Sequence, residues 1–348
     1  MNDTIVSVPG KLYVAGEYGV VAAMSHAVVL PTKLCLTVVV SPSMTQSIES
    51  TQWKEPVEFA FTEDGLPESY QGPWAEAIRV VKRCLDDRKV AWKTCRIQIT
   101  SELDQNNEKK WGLGSSGALT VALVEALLKH HDIIVDKITL FKLCVFAQLD
   151  HLEETSFGDV ACSVFRTPLF YHMPSREYLR KQGPDTDSQA LLDAWPDLVL
   201  EPIQAAPLPL IVLNTGVPAT THKLVKHVLT YRNKRWFPKR MKTIEACVSM
   251  FVAAWKSQDQ EALWKAVKRH HLALTKLGRK TGQILVTPVM KDLTKTFKKN
   301  LSTWKFSGAG AGDNVLLFPR TAEDAAFIRT HLPQGITDLT DVIEGVKR

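Results

Sequence analysis

Residues 112–131 read GLGSSGALTVALVEALLKHH: a turn almost free of side chains runs without a break into an amphipathic helix. Glycines let the backbone enter the left-handed region and approach a ligand closely. The first N–H groups of the helix, at the positive end of its dipole, face whatever sits there. Such a junction is an anion cradle, and a phosphate chain is the guest that suits it. Ser115 and Ser116 add hydroxyls of the kind that bind phosphate oxygens or a magnesium ion. A glycine-serine turn that merely caps a helix is spelled the same way, so both readings stand at this point. The stretch is not GxxxxGKS or GxxxxGKT, because no Lys follows its last glycine, and its spacing is not GxGxxG. Positive charge must come from outside it, from Lys109 and Lys110 just before Trp111 or from Lys11 near the start.

Upstream of the turn, CRIQITSEL from Cys95 alternates as a strand does, and WAEAIRVVKRCLDD has helical spacing and begins after Pro73. The opening IVSVPGKLYVAGEY carries apolar residues on both sides of Pro9-Gly10 and reads as strand, turn and strand, with LCLTVVV from Leu34 as the next strand. Downstream, Val121, Val124 and Leu128 share one helical face, and ITLFKLCVFAQLDHLEE reads as a second helix ending near Thr155. SFGDVACSVF reads as an acid-bearing turn and a short strand, followed by LFYH. Residues 173–200 look like a linker, with SQALLDAW as a helical candidate inside it, and place a domain boundary near 200. Beyond it come a strand in PLPLIVLNTG and a helix starting at Thr220 or Thr221. Two longer helices near 240–257 and 259–277 follow, then one more to about Asn300. WKFSGAGAGDNVLLF closes the set with a second glycine-rich turn that leads into a strand. Strand-helix alternation mixed with hairpin signals argues for α+β layers in both halves.

The composition is that of an ordinary globular chain: 348 residues, 45% hydrophobic and 23% charged. No apolar run is long enough to span a bilayer. MNDTIVSVPGK lacks the basic and apolar regions of an export signal, so the cytoplasm is the expected location. The six cysteines are scattered with no CxxC pair and read as reduced core residues, and the histidine doublets lack metal-ligand spacing. Residues 1–174 hold 16 Lys/Arg against 21 Asp/Glu and the rest 27 against 16, giving halves of −5 and +11 within a net charge of +6. Most of the basic excess lies between Lys223 and Lys299. It suits a polyanionic small substrate, a nucleic acid or a plain solvated helix face.

Four segments in this order, PGKLYVAGEYGVV (9–21), WGLGSSGALTVAL (111–123), SFGDVACSVF (156–165) and FSGAGAGDNVLLF (306–318), together resemble the GHMP kinases. This is the superfamily of galactokinase, homoserine kinase, mevalonate kinase and phosphomevalonate kinase, and the likeness spans nearly the whole chain. Within it the bacterial phosphomevalonate kinases are most similar. They share AGEY, the Lys-aromatic-GLGSSG loop, SFGD, and segments like TGVPATT (215–221) and WPDLVLEP (195–202). The resemblance implies an α+β GHMP kinase fold with a domain like the second domain of ribosomal protein S5 (1–200), a ferredoxin-like domain (201–348) and a cleft between them. It implies that Gly112, Leu113, Gly114, Ser115, Ser116 and Gly117 wrap the phosphates of ATP. Ser115 or Ser116 would help to hold Mg2+, and the catalytic charges would be Lys11, Lys110 and Asp159. Glu17, Tyr18, Ser156, Thr215, Ser307 and Gly310 would border the acceptor. The implied partners are ATP and phosphomevalonate, with no nucleic acid and no membrane; a homodimer stays open.

Three departures stand out. Ala311 and Asn314 interrupt the usual GGGDC of the second glycine-rich turn, and Trp111 replaces a tyrosine. Gln148 stands where mevalonate kinase has a magnesium-binding glutamate, leaving Asp150, Glu153 and Glu154 as unranked alternatives. Read without the resemblance, Asp159 is equally a turn or helix-cap acid and Lys11 a solvated strand end.

Overall fold

The computed structural model describes residues 2–105, 109–182, 191, 193–297 and 301–347, the side chains of 105, 109 and 110 excepted. Strand β1 (Thr4–Ala15) runs antiparallel to β2 (Ala27–Pro42). The turn expected at Pro9-Gly10 is instead a bulge inside one continuous strand, with the register slipping between Pro9↔Cys35 and Lys11↔Pro31. Pro9 stands opposite Cys35 and Pro31 opposite Lys11, and neither proline can donate to the ladder, so the pairing breaks there without reversing the chain. The N–H of Gly10 leaves the ladder and donates to Thr32 Oγ1 at 2.8 Å.

Next come β3 (Ser47–Ser50), β4 (Val57–Glu58), α1 (Pro73–Asp87), β5 (Cys95–Ser101) and a small hairpin of β6 (Asp104–Gln105) with β7 (Lys109–Lys110). The helices α2 (Ser115–His130), α3 (Lys137–Phe146) and α4 (Gly158–Phe165) follow, then β8 (Leu169–His172), α5 (Arg176–Gln182) and β9 (Val199–Pro202). The first sheet has the order β4-β3-β5-β2-β8-β9 with β1 beside β2, and α2 and α4 pack on β1 and β2.

Two expectations fail here. The helix expected to reach Thr155 stops at Phe146, because Gln148 leaves helical geometry at φ −123, ψ 13, and only a 3-10 turn (Leu149–His151) follows. SFGDVACSVF holds helix α4, not a strand: a short apolar run has no decisive period, and here Val160, Ala161, Cys162 and Val164 are all buried. The SQALLDAW candidate lies largely outside the described residues.

The chain then builds a second sheet from β10 (Ile211–Asn214), β11 (Ser302–Phe306), β12 (Asn314–Pro319) and β13 (Thr337–Asp338), in the order β11-β12-β10-β13. Its helices are α6 (Thr221–Leu229), α7 (Trp236–Lys256), α8 (Gln260–Thr281), α9 (Pro288–Phe297) and α10 (Ala322–Thr330). The architecture is therefore α+β, as expected, and the sheets change over between Pro202 and Ile211.

His26, just before β2, ties the first sheet to α7. Its backbone N–H donates to Glu245 Oε2 at 2.7 Å, its Nδ1 lies 3.0 Å from Oε1, and its ring stacks on Phe170 at 4.3 Å. Burial alone would raise the Glu245 carboxyl, but the hydrogen bonds and charge of His26 outweigh it and hold the group at about 2. A carboxyl depressed by folding contributes stability above its unfolded pKa and loses it as pH falls through the folded value. Chemical denaturation between about pH 5 and pH 2 should therefore show the wild type losing stability relative to Glu245→Gln. Parallel curves for the two proteins would show that the pair does not couple folding to pH.

Candidate active site

Lys11 leaves the β1 bulge with its backbone N–H donating to the carbonyl of Leu113 at 2.6 Å, so strand and glycine-rich loop are joined at that residue. Its side chain runs over the loop, and Nζ donates to the carbonyl of Gly112 at 3.2 Å and sits 5.3 Å from the Tyr13 ring centre. Gly114 stands at the N-cap of α2 with φ +82, where a side chain would be strained and would meet the Lys11 stem. No side chain caps this helix. Gly114 is thus the N-cap, with no serine hydroxyl capping the helix, and Ser115 and Ser116 in its first turn line the cleft.

Asp159 enters from the first turn of α4, whose N-terminus is likewise uncapped by any side chain, so it is not a helix-cap acid. A Cβ on Gly117 would stand 2.6 Å from Asp159 Cγ and Oδ2, which places this carboxylate against the start of α2. Burial pulls the Lys11 ammonium below the usual lysine range, while Asp159 and then Asp313 act to restore it. Lys11 is therefore no solvated strand end.

These groups line one cleft of about 550 Å³, together with Tyr13, Glu17, Tyr18, Ser156 and Ser307. Ser156 Oγ and Tyr13 Oη are 2.8 Å apart, and Ser307 Oγ donates to the Tyr13 carbonyl at 2.7 Å. Burial, and then Asp159, push the Tyr13 phenol up. Tyr18 donates to the Ala309 carbonyl at 2.6 Å. Glu17 reaches the cleft only as its rear wall: its carboxylate is taken up by buried Lys305, with His270 Nε2 3.6 Å from Oε2. Gly117, Thr215 and Gly310 are not among the lining residues. Thr215 is buried and donates its N–H to the Asp313 carbonyl at 2.8 Å, and Gly310 packs under Leu285 and Phe306. From the same 215–221 segment, Pro218, Ala219 and Thr221 do line the cleft. The side chain of Lys110 lies outside the described residues.

Sequence reasoning passed over Tyr13, Asp104, His222 and Asp313, all of which line the cleft. Tyr13 was accessible from strand alternation, since it shares a face with Lys11. Asp313 lay in SGAGAGD and was noticed only as part of a turn. Ala311 in that turn has φ +60, a conformation that costs a non-glycine residue roughly 1–2 kcal/mol. The departure from glycine is thus borne as local strain.

Among the described residues, no group of three or more His, Cys, Asp or Glu side chains could hold a metal ion alone. The hydroxyls of Ser115 and Ser116 beside the Asp159 carboxylate are hard oxygen donors. They fit a magnesium ion that brings phosphate oxygens with it. Gln148 is turned away, its Nε2 donating to Thr120 Oγ1 at 3.0 Å, and Glu153 is engaged by Arg180 and Arg232. Of the carboxylates considered in their place, Glu154 alone lines the cleft.

The basic surplus of residues 223–299 does not enter the cleft: Lys11 is the one Lys or Arg among its described lining residues. Nor do the aromatics there form a stacking platform, for Phe237 is fully buried and Tyr231 and Trp236 pack against one another at 6.0 Å. A second cavity of about 620 Å³, walled by Pro209, Leu210, Trp255 and Pro319 and lined also by Arg320, Arg329 and Lys347, contains none of the glycine-rich loop or SFGD residues. No helix among the described residues is long and apolar enough to cross a membrane.

Residues 75–167, which contain the loop and Asp159, match the family model described as GHMP kinases N terminal domain. That stretch of the chain is thus similar to a GHMP kinase N-terminal domain. It is 28% identical to a phosphomevalonate kinase from Streptomyces sp. (strain CL190), the alignment covering 97% of each chain. A Lin0012 protein from Listeria innocua superposes with a TM-score of 0.86 at 24% identity, covering 97% of this chain and 99% of the other. Streptococcus pneumoniae phosphomevalonate kinase, in complex with phosphomevalonate and AMPPNP, gives 0.82 at 22%, covering 96% and 99%. At such identities the structural likeness is one of fold.

The seating of Asp159 on Gly117 gives a test. Gly117→Ala puts a methyl where the carboxylate now lies, and a displacement of about 1 Å in such a group costs up to about 100-fold in rate. Turnover should fall by that order while calorimetric nucleotide affinity changes only a few-fold. Full turnover in the variant would show that the position of Asp159 does not matter.

Proposed function

We propose that this protein transfers the γ-phosphoryl group of ATP to (R)-5-phosphomevalonate, giving 5-diphosphomevalonate and ADP. The observation that carries the reading is the convergence, in one cleft, of the uncapped α2 N-terminus, Lys11 and Asp159. Phosphoryl transfer asks mainly for in-line positioning and charge neutralisation, and these groups provide both. The curated relative and the pneumococcal structure named above support phosphomevalonate as the acceptor, as do the TGVPATT and SFGD segments.

The N–H groups of residues 115–117 and the Lys11 ammonium hold the donor phosphates. Ser115 and Ser116, with Asp159, would hold magnesium, which supplies further neutralisation when bound. A phosphate monoester has its second pKa near about 6 and arrives largely deprotonated at neutral pH, so a general base adds little. Asp159 accordingly orients the acceptor or the metal, and Lys11 carries the larger electrostatic part. Pro218, Ala219 and Ser307 form the acceptor wall, with Tyr13 and Ser156 as hydrogen-bonding groups between the two substrates. The protein works in the cytoplasm on small molecules.

One observation favours a sibling acceptor. A single described cation in the cleft is a modest complement for an acceptor carrying both phosphate and carboxylate, whereas mevalonate brings the carboxylate alone. With that alcohol, Asp159 has a proton to remove.

ADP release measured with ATP and either phosphomevalonate or mevalonate decides between the two. Turnover with phosphomevalonate should exceed that with mevalonate at least tenfold, and the opposite order would overturn the assignment. At pH 7.5, Lys11→Met should lower turnover by about 100-fold or more, as loss of a transition-state donor does, and Asp159→Asn by less. The reverse ranking would make Asp159 a base and point to the alcohol.

A further inference from the structure

We infer that Asp313 is a positioning residue that couples the acceptor wall of the cleft to the phosphate loop, an inference that rests on the phosphoryl-transfer reading above. Asp313 is fixed on one side by the 215–219 segment. Its N–H donates to the Val217 carbonyl at 2.7 Å, its carbonyl accepts from Thr215 N–H at 2.8 Å, and its Oδ1 accepts from Ala219 N–H at 3.0 Å. Its other side presses on the loop: a Cβ on Gly112 would lie 2.8 Å from Asp313 Cβ and Cγ and 2.9 Å from Oδ2. The same carboxylate acts on Lys11, whose Nζ donates to Gly112.

One side chain thus touches the first residue of the donor loop while holding the backbone of Pro218 and Ala219, which line the opposite part of the cleft. Its backbone stands at φ +52, a left-handed conformation that a non-glycine residue keeps only where its surroundings impose it. Asparagine or glycine would meet the turn's conformational demand more cheaply. The carboxylate is therefore accounted for by what it meets: Oδ1 accepts from the Ala219 N–H, Oδ2 lies against Gly112, and its charge acts on Lys11. Acceptor binding against Pro218 and Ala219 is transmitted through this residue to the loop that carries the γ-phosphate.

The test compares Asp313→Ala with Asp313→Asn, which keeps an oxygen for the Ala219 N–H. Asp313→Ala should raise the KM for the acceptor about tenfold or more, the size expected for a displaced positioning group, with the KM for ATP changed less than about threefold. Asp313→Asn should recover most of the acceptor KM. Equal rises in both KM values, or no rise in the acceptor KM, would overturn the proposal. Hydrogen exchange at the Ala219 amide, followed with and without MgADP, gives a readout independent of the acceptor. Nucleotide should increase protection there in the wild type and in Asp313→Asn but not in Asp313→Ala, and an effect that survives in Asp313→Ala would also overturn it. A wild type that turns over neither phosphomevalonate nor mevalonate defeats the functional reading alone, and the exchange result then decides the role of Asp313.

Discussion

The hydrogen bond from the Lys11 N–H to the Leu113 carbonyl is the joint on which the active site is built. A bulge releases backbone groups from the ladder, and buried polar groups must find other partners. Here two of the released groups are taken by elements that shape the cleft, the Pro9 carbonyl accepting from Ser163 of α4 at 2.8 Å and the Lys11 N–H binding the loop, while Gly10 N–H donates to Thr32 of β2. Gly10 makes this approach feasible, since a Cβ there would fall 2.5 Å from the Leu113 carbonyl oxygen. Strand β1 thereby fixes α4, with Asp159, and the phosphate loop relative to each other and to the Lys11 side chain.

The second sheet is fastened to the same strand from behind. Ser307 bonds the Tyr13 carbonyl, Tyr18 bonds the Ala309 carbonyl, and Asn314 Nδ2 donates at 2.8 Å to the carbonyl of Trp111, just before the loop. Buried Lys305 and Glu17 add a charge pair across the two halves. Burial pulls the ammonium down and pushes the carboxyl up, and their mutual attraction opposes both shifts. Such a pair adds little net stability, yet removing one partner typically costs about 3–5 kcal/mol because the other charge is stranded. Its effect is to fix where the second glycine-rich turn stands against β1.

How much of this was legible follows from the range of each signal. The α2 junction, α1 after Pro73 and α6 from Thr221 were readable because capping and helical period are local. The bulge at Gly10 was not, since it shows only in the register, where the two steps from Pro9 to Lys11 oppose the four from Cys35 to Pro31. Helix α4 was misread because so short an apolar stretch as VACSVF has no distinctive period, and its partners α2 and β1 settle its form. Motif order pointed to Lys11, Ser156 and Asp159, all of which line the cleft. Glu17 was placed with the acceptor, although Lys305, 288 residues later, engages its carboxylate. Asp313 stayed hidden for a similar reason: its meaning lies in Gly112 and Ala219, neither of which is its neighbour in sequence.

The charge balance of the cleft carries the argument one step further. Its described lining has Lys11 as its Lys or Arg, set against Glu17, Asp104, Glu154, Asp159 and Asp313. Glu17 is balanced by Lys305, and Lys226 stands 3.7 Å from Glu154. What remains around Lys11 is an excess of negative charge, contributed by both halves of the chain. Asp159 and Asp313 oppose the downward pull that desolvation exerts on the half-buried Lys11 ammonium. They would also repel a bare polyphosphate. The α2 N-terminus offsets part of that repulsion, being equivalent to about half a unit charge.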